Sequence, residues 1–319
     1  VRASAVAVAS LFFATLSGPS LAAGLRGPVP AAARTAKNPG PAASGYSFVT
    51  LDDPAEVTFN QLLGINDAGV ISGYYGSGNP GDPNVGYTVA KPYSAFVVED
   101  YPGAAQTQVV AINDNRATAG FYVDASGANH GFIKANGTFK TFDDPNTAGG
   151  TVNQLLGLND SGTAVGFYVD ANGLNHGYTL DSATGAFTEI HPPRGSNTII
   201  TGINVNGDIV GFTTLPNGKT VGYFKGEGKV IEFSCPGATA TTPFGINAYD
   251  EVVGSYIDAA GLTHGFAITA ALSGNAHFAS IDDPNGVGST VVNGVNKAGT
   301  LVGFYTDANG NTDGFIAKP

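Results

Sequence analysis

Gln154-Leu155-Leu156-Gly157-Leu158-Asn159, then Asp160-Ser161-Gly162, then Ala164-Val165-Gly166-Phe167-Tyr168-Val169, then Asp170-Ala171-Asn172-Gly173, then His176-Gly177-Tyr178-Thr179-Leu180: this stretch decides the fold. The three longer pieces are short runs with apolar and polar residues alternating, which suits half-buried strands. The two pieces between them are turn chemistry, because Asp and Asn bond their own backbone and Gly accepts backbone angles closed to other residues. A further turn, Ser182-Ala183-Thr184-Gly185, leads to a fourth run, Phe187 to Ile190, and then to a Pro-containing loop. The spacing predicts four antiparallel strands, here called a to d.

The same unit occurs six times. Its most regular element is Leu63-Gly64-Ile65-Asn66, Val110-Ala111-Ile112-Asn113, Leu156-Gly157-Leu158-Asn159, Thr201-Gly202-Ile203-Asn204, Phe244-Gly245-Ile246-Asn247 and Asn293-Gly294-Val295-Asn296, with 47, 46, 45, 43 and 49 residues between successive asparagines. Repeats of this length with four strands each are blades of a β-propeller. The expected fold is therefore all-β, a six-bladed propeller over residues 46–319. The last copy stops at strand c, Asp313 to Lys318, while Tyr46 to Leu51 followed by Asp52-Asp53-Pro54 matches a strand d that has no blade of its own. That N-terminal strand is predicted to be the outer strand of the sixth blade, closing the ring and removing an open boundary. The residue two before each asparagine is Ala111 in the second copy and Gly elsewhere, as inner strands converging on an axis require. The asparagines Asn66, Asn113, Asn159, Asn204, Asn247 and Asn296 begin the a–b turns and are read as structural, bonding the turn backbone.

Composition agrees with this reading. Among 319 residues there are 46 Gly and 18 Pro, and only 12% are charged, about half of the roughly 25% usual in soluble domains. The net charge is −11, and since Arg2, Arg26, Arg34 and Lys37 are the charged residues of the first 45, the remainder carries 10 basic and 25 acidic residues, or −15. Such a surface repels phosphate backbones and anionic lipid, which argues against nucleic acid and membrane partners. Cys235 is the single cysteine, so no internal disulfide forms; it is expected as a small buried residue in a strand.

Residues 1–23 read as an export signal: Arg2, an apolar run from Ala5 to Leu16, and small residues about Ala22 and Ala23. The apolar run is shorter than the ~20 residues a membrane span needs. Residues 24–45, rich in Ala, Pro and Gly, read as a disordered linker. The expected location is secreted, extracellular or in the cell envelope, with no membrane insertion of the mature protein.

Gly-Ile-Asn, Gly-Phe-Tyr-x-Asp-Ala-x-Gly and His-Gly-Phe (His130 to Phe132 and His264 to Phe266, with His176 to Tyr178 close) resemble the extracellular repeats called the HAF family, after His-Ala-Phe. The resemblance covers Tyr46 to Pro319. It implies secretion and a propeller-like fold and brings no activity with it. Val85, Val221 and Asp313 stand where the His would be in copies one, four and six, so the His is not essential to a blade.

Strand direction alternates, so the b–c turns and d-to-a loops share one face. That face gathers Asp52, Asp53, Asp100, Asp143, Asp144, Asp282 and Asp283 from the ends of strand d and Asp124, Asp170, Asp258 and Asp307 from the b–c turns. Ligand-binding candidates are Asp53, Asp144 and Asp283, the histidines His130, His176 and His264 beside the turns, and Asp82 and Asn84 in the first blade's longer b–c loop, Gly76 to Asn84. Oxygen-rich turns suit calcium, and Asp307 to Asp313 superficially resembles a calcium loop whose glycine comes too early. Against this, Asp and Asn with Gly initiate turns without any ligand, and functional sites are not usually repeated around a ring. No cofactor is therefore expected, calcium being the one cation the face would suit. The three histidines belong to different blades, which argues against a shared zinc ion.

Motifs for a nucleophile elbow, a zinc protease or a phosphate loop are absent. The reading is a secreted or cell-surface non-catalytic module that recognises a glycan or protein partner through one polar face of the propeller. Two alternatives stay open: an extracellular carboxylate-dependent hydrolase or lyase, with or without calcium, and a structural envelope or matrix protein.

Overall fold

The computed structural model describes residues 45–76, 83–147, 152–269 and 276–319, which contain 24 strands. The leader 1–23, all of the linker but Gly45, and Asp82 lie outside the described residues. After β1 (Ser47–Thr50), blade one is β2 (Asn60–Ile65), β3 (Ile71–Tyr75), β4 (Val85–Val89) and β5 (Phe96–Val98). Blade two is β6 (Gln106–Ile112), β7 (Thr118–Val123), β8 (Asn129–Ala135) and β9 (Thr138–Phe142), and blade three is β10 (Asn153–Leu158), β11 (Thr163–Val169), β12 (Asn175–Asp181) and β13 (Ala186–Glu189). Blade four comprises β14 (Ser196–Ile203), β15 (Ile209–Thr214), β16 (Thr220–Gly226) and β17 (Lys229–Phe233); blade five comprises β18 (Ala240–Ile246), β19 (Val252–Ile257), β20 (Thr263–Thr269) and β21 (His277–Ile281). Blade six is β22 (Thr290–Val295), β23 (Leu301–Thr306) and β24 (Thr312–Lys318), completed by β1, so the sheet order is β1-β24-β23-β22.

The protein is a six-bladed propeller closed as the repeat predicts. β1 runs antiparallel to β24 with Phe48 opposite Ala317 and Thr50 opposite Phe315. Neighbouring blades also touch through single parallel bridges where strand a starts, Thr220 with Ala240, Asn129 with Val152, Thr263 with Ser289 and Phe59 with Thr312. The last of these joins blade six to blade one.

Every inner strand carries a bulge that the alternating pattern does not reveal. Pairing with strand b skips one residue at Leu63, Val110, Leu156, Thr201, Phe244 and Asn293. An unpaired extra residue bends its strand and re-aims its own side chain. Leu63, Val110 and Leu156 accordingly join Tyr74, Phe121, Phe167 and Ile199 in one apolar cluster spanning blades one to four, and Phe244 joins Val291 and Phe304. The bend also presses strand a onto strand b. A Cβ on Gly166 would lie 1.9 Å from the Gln154 carbonyl oxygen, and the equivalent Gly73, Gly120, Gly211, Gly254 and Gly303 would meet the matching carbonyl at 2.0 to 2.2 Å. The small residues near the axis touch one another: a Cβ on Gly202 would be 2.7 Å from the Phe244 carbonyl and 3.4 Å from the Gly245 Cα.

Cys235 is buried, but it sits in the loop after β17, not in a strand, and its amide donates to Thr241 Oγ1 at 3.0 Å. Burial pushes the thiol up to about 12, which keeps it protonated and unreactive at neutral pH.

Candidate functional site

The six asparagines do more than shape their own turns. Each side-chain oxygen accepts from the turn that follows it, as Asn66 Oδ1 does from the Val70 amide (2.8 Å) and Asn159 Oδ1 from the Thr163 amide (3.0 Å). Each side-chain nitrogen then donates to the backbone carbonyl of the asparagine one blade on. The series runs Asn66 to Asn113 (3.0 Å), Asn113 to Asn159 (3.0 Å), Asn159 to Asn204 (3.2 Å), Asn204 to Asn247 (3.2 Å), Asn247 to Asn296 (3.1 Å) and Asn296 back to Asn66 (3.2 Å). All six are buried, and each amide has partners at both ends. The expected turn bonds are present, and the closed ring is an addition that no local pattern shows.

Outside that ring lies a second, incomplete one. The Asp67 amide donates to Asp114 Oδ1, the Asp114 amide to Asp160 Oδ1 and the Lys297 amide to Asp67 Oδ1, each at 2.8 Å, with Lys297 Nζ 3.4 Å from Asp67 Oδ2. Burial, together with the charges of Asp67 and Asp160, holds the Asp114 carboxyl above its ordinary value, although the Asp67 amide pulls it down. With Ile65, Leu158 and Ile246 these residues line a funnel of about 100 Å³ at the axis, on the face of the a–b turns. The face richest in aspartate by sequence is the opposite one.

On that opposite face the histidines stand in separate blades, each between two carboxylates of its own blade. His130 contacts Asp143 (2.8 Å) and Asp124 (3.4 Å), His176 contacts Glu189 (2.6 Å) and Asp170 (3.2 Å), and His264 contacts Asp282 (3.0 Å) and Asp258 (3.5 Å). Each ring stacks on the tyrosine opposite it in strand b, Tyr122, Tyr168 or Tyr256, with centroids 4.9 to 5.1 Å apart. Burial lowers the pKa of His130 and of His176, but hydrogen bonds and charge from the flanking carboxylates outweigh it and leave both raised. Asp124 and Asp170 fall to about 2, chiefly through the Ser126 hydroxyl and the Leu174 amide respectively.

Blade six lacks the cation. Asp313 faces Tyr305 in the register that pairs His130 with Tyr122, and the flanking carboxyls are Asp307 and Asp52. Burial and the Asp313 charge raise Asp52 to about 6, even though the Gly314 amide donates to it at 2.8 Å. Burial and the charges of Asp307 and Asp283 also raise Asp313.

These shifts set a pH profile. A raised histidine pKa stabilises fully below the unfolded value of ~6.5 and stops doing so as pH rises through the folded value; a depressed carboxyl stabilises above ~3.9 and fails as pH falls toward 2. The raised Asp52 acts in the opposite sense to a depressed carboxyl, weakening the fold as pH climbs from ~4 through about 6. The melting temperature should therefore peak on the acid side, near pH 4 to 6, and decline toward pH 8. Asp313→His, which restores the residue of three other blades, should add about 1 kcal/mol near pH 5.5, or about 2 °C, and should keep a gain at pH 9, where the histidine is neutral but the buried carboxylate that repels Asp52 is gone. Calorimetry across pH on both proteins checks this; an unchanged or lowered melting temperature near pH 5.5 would show that the sixth seat is not equivalent.

The other candidates are turn formers. Asp53, Asp144 and Asp283 are buried, and their Oδ1 atoms accept the amides of Ala55 (2.9 Å), Asn146 (2.8 Å) and Asn285 (2.8 Å). Asn84 is buried and its carbonyl accepts the Thr107 amide at 2.9 Å. In the loop that resembles a calcium site, both Asp307 carboxylate oxygens already accept from Asn309 and Asn311 at 2.8 to 3.1 Å. Among the described residues no group of three or more His, Cys, Asp or Glu is arranged to hold a metal ion. The structure thus disperses these candidates over several blades and brings none of them into one pocket.

A larger cavity, of about 390 Å³, opens between blades one and two on the a–b turn face. It is lined by Val70, Ile112 and Glu99 and by a c–d loop, Ala90 to Ala95, that supplies Lys91 and Pro92; Arg116 closes it from the a–b turn of blade two. Residue-type reading passed over this cleft because Lys91 and Arg116 match no motif. The usable signal is positional: Arg116 occupies a place in the repeat that Gly69, Gly162, Gly207 and Gly299 fill elsewhere.

No family model matches the chain, and no curated protein sequence does. Solved structures share its fold at very low identity. The fucose-specific lectin from Aleuria aurantia superposes with a TM-score of 0.53 at 10% identity, over 81% of this chain and 92% of the lectin. A mutant of AofleA from Arthrobotrys oligospora gives 0.51 at 11% identity, over 85% and 86%. TolB from Acinetobacter baumannii gives 0.52 at 12% identity over 81% of this chain, which spans only 64% of TolB. At these identities the likeness is one of fold, and the fold it shares with the lectins is the propeller.

Proposed function

We propose that this protein is a secreted or cell-surface binding module that recognises a glycan through one polar face of the propeller and does no chemistry on it. The observation that carries the reading is how the acidic face is used: its aspartates hold their own turns and its histidines are clamped within their own blades. Such groups build a rigid scaffold and are poorly placed for acid–base work, whereas the cleft between blades one and two offers concave, mixed polar and apolar walls of the kind that hold small ligands. A fungal propeller of the same fold supports the glycan class, since the Aleuria aurantia protein is named a fucose-specific lectin and a mutant of it was solved with Fucα1-6GlcNAc. Secretion and kinship with HAF repeats rest on the leader-like residues 1–23 and on the repeat motifs.

The test is a glycan array probed with the full chain, with titration calorimetry on each hit. At least one saccharide class should bind saturably. A blank glycan array beside a positive array of surface proteins would replace the glycan by a protein, and two blank arrays would remove the binding reading altogether.

One observation favours the hydrolase or lyase alternative. Asp52, with its pKa near 6, lies beside a second raised carboxyl, Asp313, and a carboxyl that holds its proton at mildly acid pH is what the general acid of glycoside cleavage needs. Release of reducing ends or unsaturated products from a polysaccharide panel at mildly acid pH, lost in Asp52→Asn, would establish that reading; no release leaves the pair as a structural remnant of the histidine seat.

A further inference from the structure

We propose that the cleft between blades one and two binds a carboxylate-bearing sugar, a uronic acid unit of a larger glycan; the proposal rests on the glycan-binding reading and deepens it. The cleft's volume of about 390 Å³ suits a ligand of one or two sugar rings. Its charge is what sets it apart. Residues 46–319 carry 10 basic against 25 acidic side chains, yet Lys91 and Arg116 both line this one cavity and neither has an acidic partner among the described residues. Glu99, the acid on the same wall, is not their counter-ion. It is buried and already accepts from Thr88 Oγ1 (3.0 Å) and Thr118 Oγ1 (2.8 Å), with Lys134 Nζ at 3.6 Å. Two uncompensated cations in a concave site focus a positive potential on whatever enters it.

Arg116 is held where the local backbone would not choose it, and Lys91 depends on space left by a glycine. Arg116 has φ 61°, and the same position is Gly69, Gly162, Gly207 or Gly299 in four other blades, with φ between 71° and 87°. An arginine in the left-handed region is strained, where glycine is not. Lys91 reaches its place because Gly69 has no side chain: its Cε and Nζ lie 2.9 and 3.0 Å from where a Cβ would be, and Tyr93 Oη donates to the Gly69 carbonyl at 3.0 Å. Guanidinium and ammonium facing one space suit a carboxylate. Beside them Val70, Ile112 and Pro92 present an apolar wall that matches the C–H face of a pyranose, and Ser94 adds a hydroxyl. A bare inorganic anion would leave that wall without a use.

Calorimetric titration of the full chain with a uronic acid trisaccharide, its methyl ester, a neutral hexose trisaccharide and inorganic phosphate tests this. The acid should bind at least about tenfold more tightly than its ester and lose that margin at high salt. Arg116→Gly, which installs the repeat's own residue, should weaken the acid by at least about tenfold while melting no lower than the parent; Lys91→Ala should weaken it in the same direction. Equal binding of acid and ester, or an Arg116→Gly protein that binds as the parent does, overturns the cleft assignment, and a neutral sugar bound in that case leaves the glycan reading standing. Phosphate bound and lost in Arg116→Gly, with no saccharide bound, would keep an anion seat but overturn the sugar assignment of this cleft, and the glycan array then decides the glycan reading by itself.

Discussion

Gly166→Ala is expected to destabilise the propeller by about 4 kcal/mol or more, although it adds a single methyl group. The added carbon would sit 1.9 Å from the Gln154 carbonyl oxygen and 3.0 Å from its carbon, both backbone atoms of the adjoining inner strand. No side-chain rotation relieves such a contact; β10 and β11 would have to separate. They cannot do so freely, because the bulge at Leu156 feeds the apolar cluster shared by blades one to four. Equilibrium unfolding in urea should show a large drop in midpoint. Gly173→Ala is the control, since its Cβ would meet nothing within 4 Å and it loses only the comfort of φ 78°; its drop should be about 1 kcal/mol. Equal effects of the two substitutions would mean that the close approach of the two strands at Gly166 carries no special cost.

Removal of residues 46–51 is expected to abolish the cooperative fold. Lost with them are the pairing of Ser47 to Thr50 with β24, the Leu51 amide bond to the Gly314 carbonyl (2.8 Å), the Thr50 hydroxyl contact with Tyr305 (2.9 Å) and the packing of Phe48 on Phe315 at 5.6 Å between centroids. Tyr46 and Phe48 also cover a cluster that reaches from blade six into blade five through Val253 and Ala267. The exposed edge of β24 would offer unpaired donors and acceptors to other chains, so aggregation should accompany the loss. Near-ultraviolet circular dichroism and sedimentation would register it, and a synthetic peptide of residues 45–52 added in trans should restore part of the signal. A truncated protein melting cooperatively at the parent's temperature would show that the ring does not depend on this closure.

The blade count and the closure were legible because turn chemistry recurs at a nearly fixed interval and the missing fourth strand of the last copy reappears at residues 46–51. Asp53, Asp144 and Asp283 stood out in the sequence as ligand-binding candidates; in the structure each bonds the amide two residues on, a local event. Contacts between blades were not legible. Asn66 finds Asn113 only after the chain has travelled 47 residues, and two copies of the same residue carry no sign that they are partners. The bulges were hidden for a related reason: they follow from inner strands crowding around an axis, which alternation within a strand does not record. The cleft was half legible, because an arginine standing in a glycine column is visible in the aligned copies once backbone angle is considered.

The asparagine ring also bears on how such a chain can change. Each link runs in one sense, oxygen inward to its own turn and nitrogen outward to the next copy, so every junction makes the same demand and every blade meets it. One copy can then replace another without altering what its neighbours require, and substitutions such as Arg116 can accumulate in a single copy while the circuit stays whole. Gaining or losing a copy is a different matter. The circuit returns to its start after six links, and a fifth or seventh would leave the curvature of the ring wrong at every junction at once. The feature that lets individual blades diverge is therefore also the one that fixes their number.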